Sequence, residues 1–172
     1  MLNSMLKKIV ACTVLMALLL SLAVSMAFAE DANLISTQNF LAHLDHQGVV
    51  YSYLGANDDG DERVSIEYEL YNFDSLTCTV IFDKDDDEVN LRVWYIVTPT
   101  AGQNYILSAM NQLNLDYKFA KFVYDTSDST VQVEMDMAID KNNCAVPVLN
   151  SVTWLLQVVD TDEVAEKLHS LE

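Results

Sequence analysis

Basic residues are scarce in this chain: nine Lys and Arg stand against 26 Asp and Glu among 172 residues, for a net charge of −17. Nucleic acid and anionic lipid surfaces repel a polyanion of this strength, which excludes both as partners. Glycine and proline are few as well, four and two. No long linker, low-complexity tract or internal repeat divides the chain. Catalytic signatures are missing in the same way. There is no G-x-S-x-G elbow, no H-E-x-x-H and no Cys-His signature, and the Ser, His and Asp that occur form no recognisable triad, so no catalytic residue and no cofactor is expected.

What is present begins with an address. Lys7 and Lys8 precede an almost wholly apolar run over residues 9–24, and Ala27-Phe28-Ala29 puts small residues at cleavage offsets. This reads as a secretory signal peptide cut after Ala29, and the protein as secreted or extracytoplasmic. The alternative is an uncleaved membrane anchor, since the apolar stretch is long enough to span a bilayer. The reading divides the chain into residues 1–29, a short lead over 30–35 and a single domain over 36–172, a length that comfortably builds one core. Cys12 lies in the leader. Cys78 falls on a predicted strand and Cys144 just before the last helix. Export would permit a disulfide between them; two small buried apolar side chains is the other reading.

Periodicity predicts the elements. Ser36 is a helix N-cap candidate, Phe40, Leu41 and Leu44 share one side, and Gly48 ends the helix. Four strands follow: residues 49–54, then Val64, Ile66, Tyr68 and Leu70 alternating with polar residues, then Leu76, Cys78, Val80 and Phe82, then residues 89–97. The acidic turns between them are short enough for an antiparallel meander. Pro99 opens a helix with Tyr105, Ile106, Ala109, Met110 and Leu113 on its packing side, and Asn114 is expected to stop it as a left-handed cap. An aromatic strand from Tyr117 to Tyr124 and a strand with Val131, Val133, Met135 and Met137 inward make a hairpin. Pro147 then opens a last helix carrying Val148, Leu149, Val152, Leu155, Leu156 and Val159, with a restart near Asp160 and Glu163 that turns Val164 and Leu168 inward. Met110 and Phe119 are expected in the core, Leu107 on the flank.

The helix end ILSAMNQLN (106–114), the strand YKFAKFVYD (117–125) and the acidic-polar turn before TVQVEMDM (130–137) resemble the core of the YbjN-like family of bacterial sensory-transduction regulators, whose members share the fold of type III secretion chaperones. The similarity extends over residues 36–168. It implies an α+β fold in the order α-β-β-β-β-α-β-β-α with helices on one face of an antiparallel sheet, a regulatory or chaperone-like role, protein or peptide partners and dimers. It transfers no catalytic residue. The export signal departs from type III chaperones, which work in the cytosol.

Three side-chain constellations bear on chemistry. Asp58, Asp59 and Asp61 in the first turn and Asp85 and Asp87 in the third would lie at one end of the meander, roughly 10 Å apart, as candidate Ca²⁺ ligands; neither turn has the EF-hand spacing, and solvated turns that keep the sheet soluble are the competing explanation. His43 and His46 are spaced for a metal but have no third ligand. On the fourth strand, Val89, Leu91, Val93, Tyr95 and Val97 take one face, leaving Asn90, Arg92, Trp94 and Ile96 on the other, where Trp94, Ile96 and neighbouring Ile81 make an apolar patch beside Arg92; a partner-binding or dimer surface is one reading, and cover by a helix or the curled sheet is the other. The expected function is therefore an exported, non-enzymatic protein-binding or regulatory module. A secreted hydrolase of unknown substrate and a calcium-binding surface module are the alternatives.

Overall fold

The computed structural model describes residues 32–172. The leader with Lys7, Lys8, Cys12 and the cleavage site at Ala29 lies outside the described residues. Ten elements follow in chain order: α1 (Ile35–Gln47), β1 (Ser52–Ala56), β2 (Glu62–Glu69), β3 (Ser75–Phe82), β4 (Glu88–Val97), α2 (Gln103–Asp116), β5 (Lys121–Asp125), β6 (Thr130–Ala138), α3 (Ala145–Val159) and α4 (Asp162–His169). The strands form one six-stranded sheet in the order β1-β2-β3-β4-β6-β5, antiparallel throughout. The class is α+β, as the alternating patterns predict. The meander runs from β1 to β4, and the hairpin then adds β6, not β5, beside β4.

One face of this sheet is apolar. Val64, Ile66, Cys78, Val80, Phe82, Val89, Leu91, Val93, Val131 and Val133 all point to it and are buried. Phe40, Leu41 and Leu44 of α1, Val152, Leu155 and Leu156 of α3, and Ile106, Met110 and Leu113 of α2 complete the same core. The opposite face carries Ser65, Glu67, Thr77, Arg92, Glu134 and Asp136, the polar phase of the strands, with Glu67, Thr77 and Asp136 exposed. Alternation alone accounts for this division, because successive side chains on a strand point to opposite faces.

Helix α1 begins before its expected cap. Leu34, not Ser36, is the N-cap, and no side chain of the local sequence closes it. The free N–H groups are met from the sheet. Glu62, only 1% exposed, accepts from Asn33 N at 2.6 Å and Leu34 N at 3.2 Å, and Asp86 accepts from Ser36 N at 3.0 Å. Two carboxylates thus answer the positive end of the helix dipole. Gly48 ends the helix with φ 69°, donating to Asp45 O, as a left-handed C-cap does.

Other expectations change. Helix α2 runs past Asn114 to Asp116. Asn114 spends its amide on β5: Oδ1 accepts from Phe122 N at 2.7 Å and Nδ2 donates to Phe122 O at 2.9 Å. Strand β5 starts only at Lys121, so Phe119 falls in the preceding connection and is 74% exposed, while Phe122 is 2% exposed. Tyr105 is exposed also, on the flank of α2 and not its packing side. At the α3–α4 junction the cap is Thr161, whose side chain accepts from Val164 N. Asp160, expected to cap, reaches across to the β2–β3 turn instead. Val164 and Leu168 are buried as the pattern requires.

Candidate functional site

Sequence reasoning placed a patch on β4 and acidic candidates in two turns; the structure treats them differently. In β4 the ladder pairs Val93 with Val133 and then Val97 with Val131, so three residues of β4 face one of β6. Tyr95 takes φ 58° at this bulge. Strict alternation fails there: Tyr95 swings out to 68% exposure and Ile96 turns into the core at 7%. Ile96 is therefore a core residue and not part of the patch, because a bulge re-aims the side chains around it. Ile81 and Arg92 are half-buried. Arg92 is tied to its neighbours, 2.6 Å from Asp136 and 3.1 Å from Asn90 Oδ1. Trp94 is left 38% exposed beside Tyr95, a smaller apolar surface than alternation implied.

The first and third turns do meet. Lys84 N donates to Asp61 Oδ1 at 3.1 Å. Their polar groups are spent on the turns themselves, however: Asn57 Oδ1 accepts from Asp59 N and Asp61 N, Asn57 Nδ2 donates to Asp61 Oδ2, and Asp85 N donates to Asp83 Oδ1. Asp58, Asp59, Asp85 and Asp87 point to solvent. Among the described residues no group of three or more His, Cys, Asp or Glu is placed to hold a metal ion; the five calcium candidates do not converge, nor do His43 and His46 with a third ligand. The role the structure does give an acidic tip is Asp86, which caps α1 and lies 3.7 Å from Lys141 Nζ.

Cys78 and Cys144 are free thiols, both buried. Burial pushes the Cys78 thiol up to about 12 and that of Cys144 up to about 11, because a thiolate loses its hydration in an apolar setting. Cys144 Sγ lies 3.6 Å from Ser36 O and from Lys141 O. Both act as small core side chains.

Two hollows remain. The larger, of about 770 Å³, lies on the polar face between β1, β2, β3 and the β2–β3 turn, lined by Ser65, Glu67, Glu69, Thr77 and the turn residues 70–74. Ser75 Oγ donates to Glu67 Oε1 at 2.7 Å, and no His, Cys or Lys lines this hollow. The smaller, of about 430 Å³, is lined mainly by apolar side chains, Met135 and Met137 of β6, Trp154 of α3 and Phe119 ahead of β5, together with Asp136, Asn150 and Ser151. Phe119 and Trp154 meet edge-to-face with centroids 6.4 Å apart, a favoured arrangement of aromatic quadrupoles.

This second hollow is positioned by a mismatch of strand lengths. β5 ends its pairing at Lys121 opposite Glu134, but β6 runs on to Ala138. From Met135 to Ala138, β6 is bonded to β4 and, among the described residues, has no strand on its other side. Met135 and Met137 are in the core-facing phase, so their side chains lean toward α3 and stay half-buried. The result is a short bare strand edge beside an apolar floor of flexible thioethers and aromatic rings. Periodicity alone does not reveal it, because it places Phe119 in the core and Trp154 outside the terminal helix's inward set. The available signal was the pair of methionines at alternating positions following the valines of β6.

Among the described residues no helix is long and apolar enough to cross a membrane. No protein-family model matches the chain, and comparison with curated proteins and with solved structures found no significant match.

Proposed function

We propose that this protein is an exported, non-enzymatic binding module, related to the YbjN-like regulators, that holds an extended protein or peptide segment in the groove of Phe119, Met135, Met137 and Trp154. The observation that carries the reading is the bare edge of β6 from Met135 to Ala138 beside that groove. Unpaired strand N–H and C=O groups are a template for another strand, and the pockets beside them select alternate side chains. Methionine suits such a floor because its unbranched thioether adapts to different shapes. β5 shows the pattern such a segment would continue: Phe122 inward, and Lys121 outward on Glu134 at 3.0 Å. A guest strand in line with β5 would lay apolar side chains toward Met135 and Met137 and a basic one beside Asp136. The chain's charge of −17 favours basic guests and disfavours self-pairing, in which like charges would face each other.

A displayed peptide library panned against the protein tests this. Enriched sequences should alternate apolar and basic residues, and Trp154→Ala and Met137→Asp should each weaken their binding by tenfold or more, about 1.4 kcal/mol. Trp94→Ala serves as the comparison, since Trp94 and Tyr95 form another exposed aromatic surface. Peptides that bind equally well to Trp154→Ala and Met137→Asp but are lost with Trp94→Ala would move the site to β4. A failure to retain any peptide or protein would sink the binding reading altogether.

A further inference from the structure

The β2–β3 turn, residues 70–74, forms one wall of the larger hollow, and it is fastened from outside. Asp160, at the junction of α3 and α4, accepts from Tyr71 N at 2.9 Å and Asn72 N at 2.7 Å. Asn72 Nδ2 donates in return to Asp160 O at 2.7 Å and to Asp162 Oδ1 at 3.2 Å. In each of these contacts an amide N–H donates to a carboxylate or carbonyl oxygen.

The third fastening is different. His169, on the last turn of α4, lies with Nε2 3.2 Å from Asn72 O and Nδ1 3.0 Å from Glu172 Oε2. Its ring also packs on Phe73, with centroids 5.0 Å apart and planes inclined by 31°. A carbonyl oxygen and a carboxylate oxygen only accept. A neutral imidazole has a single N–H and can serve one of them, leaving a lone pair aimed at the other; the imidazolium donates to both. The arrangement is complete only in the charged state.

We infer that His169 is a proton-operated latch: when its ring is charged it ties the β2–β3 turn, and with it the wall of the larger groove, to α4 and Glu172. Glu172 is the charged group facing the ring. The turn presents the Asn72 carbonyl and the Phe73 ring, with Tyr71 and Asp74 as its other ionisable groups, while Asp160 and Asp162 engage Asn72 and not the imidazole. The hydrogen bond to Glu172, and next the one to the Asn72 carbonyl, raise the His169 pKa above its ordinary 6.5, against a smaller opposing effect of burial. A raised folded-state pKa gives stabilisation that is fully present below the unfolded value and is lost as pH rises through the folded one. Acidification therefore closes the latch and alkalinisation releases it. The neighbouring strap is independent of the ring: Leu171 O accepts from Thr100 N and Ala101 N, so Leu171 stays anchored while the turn is freed.

A pH titration of the isotopically labelled protein by NMR, from about pH 5 to about pH 9, covers the window in which a histidine switch operates. The His169 ring should titrate with a midpoint above 6.5, the backbone signals of Asn72 and Phe73 should move with the same midpoint, and the exchange protection of the Tyr71 and Asn72 amides should fall severalfold as the ring loses its proton. Glu172→Gln should lower the midpoint. His169→Phe, which keeps a ring against Phe73 but no donor, should abolish the pH response of Asn72 and Phe73. A ring midpoint at or below the ordinary value, or Asn72 and Phe73 signals that do not follow it, would overturn the latch. Should His169→Phe fail to fold, the wild-type and Glu172→Gln titrations decide the matter alone.

Discussion

Phe119 and Phe122 stand three positions apart on one short aromatic stretch, and removing their rings should have opposite consequences. Phe122 is 2% exposed, its backbone is held by Asn114, and its ring meets Tyr117 with centroids 6.2 Å apart. Phe122→Ala forfeits the transfer free energy of a buried ring and leaves a void that a core of this packing closes only in part, together about 3–5 kcal/mol. The lost aromatic contact adds about 0.5–1.5 kcal/mol beyond area burial, which places the value in the upper half of that range. Near 4 kcal/mol, a domain of this size should melt about 8–16 °C lower. Phe119 is 74% exposed and so has only about a quarter of that burial to lose, about 0.5 kcal/mol, to which its contact with Trp154 adds little. Phe119→Ala should leave the melting temperature within about 3 °C of the parent while removing one wall of the apolar groove. Urea denaturation monitored by circular dichroism measures both. A loss above about 2 kcal/mol for Phe119→Ala, or below about 1 kcal/mol for Phe122→Ala, would mean that the strand is misregistered and that the groove is assembled from different residues.

Three further outcomes follow from the same geometry. Glu62→Ala strands the Asn33 and Leu34 N–H groups at the start of α1 and should cost about 1.5–3 kcal/mol, with Glu62→Gln recovering part of it; equal stability of all three proteins in urea would remove the strand-to-helix cap from the account. Cys78 and Cys144, whose thiols burial pushes up to about 12 and about 11, should resist a thiol reagent at pH 8 in the folded protein and react only as it unfolds, so that labelling rates track denaturant; rapid native labelling of Cys78 would contradict its burial. The carboxyl of Asp140 is held below its ordinary 3.8, first by the Asn143 side chain and then by the Asn142 N–H, so it supports the loop above that pH and ceases to as pH falls through the lower folded value; carbon-detected titration of Asn143→Ala should show the midpoint move back up.

Periodicity carried a great deal here. The inward sets Val64-Ile66, Leu76-Cys78-Val80-Phe82 and Val89-Leu91-Val93, the apolar sides of α1 and α3, the Gly48 stop and the restart after Asp160 are all legible in the linear pattern, because each depends on side-chain spacing within one element and on burial of one face. Such reasoning reaches the α+β class and the hairpin of β5 and β6. It cannot reach contacts whose partners are distant in the chain. The cap of α1 comes from Glu62 and Asp86 and not from Ser36, Asn114 serves Phe122 in place of ending its own helix, and Asp160 holds the β2–β3 turn 88 residues away; each local rule was overridden by a partner that only folding brings near. The bulge at Tyr95 shifted the β4 phase and sent Ile96 inward, a change that strict alternation has no means to register. The groove of Met135, Met137, Phe119 and Trp154 depends on β6 outrunning β5, a property of strand pairing and not of either strand, so only the tertiary structure could decide where the candidate binding surface lies.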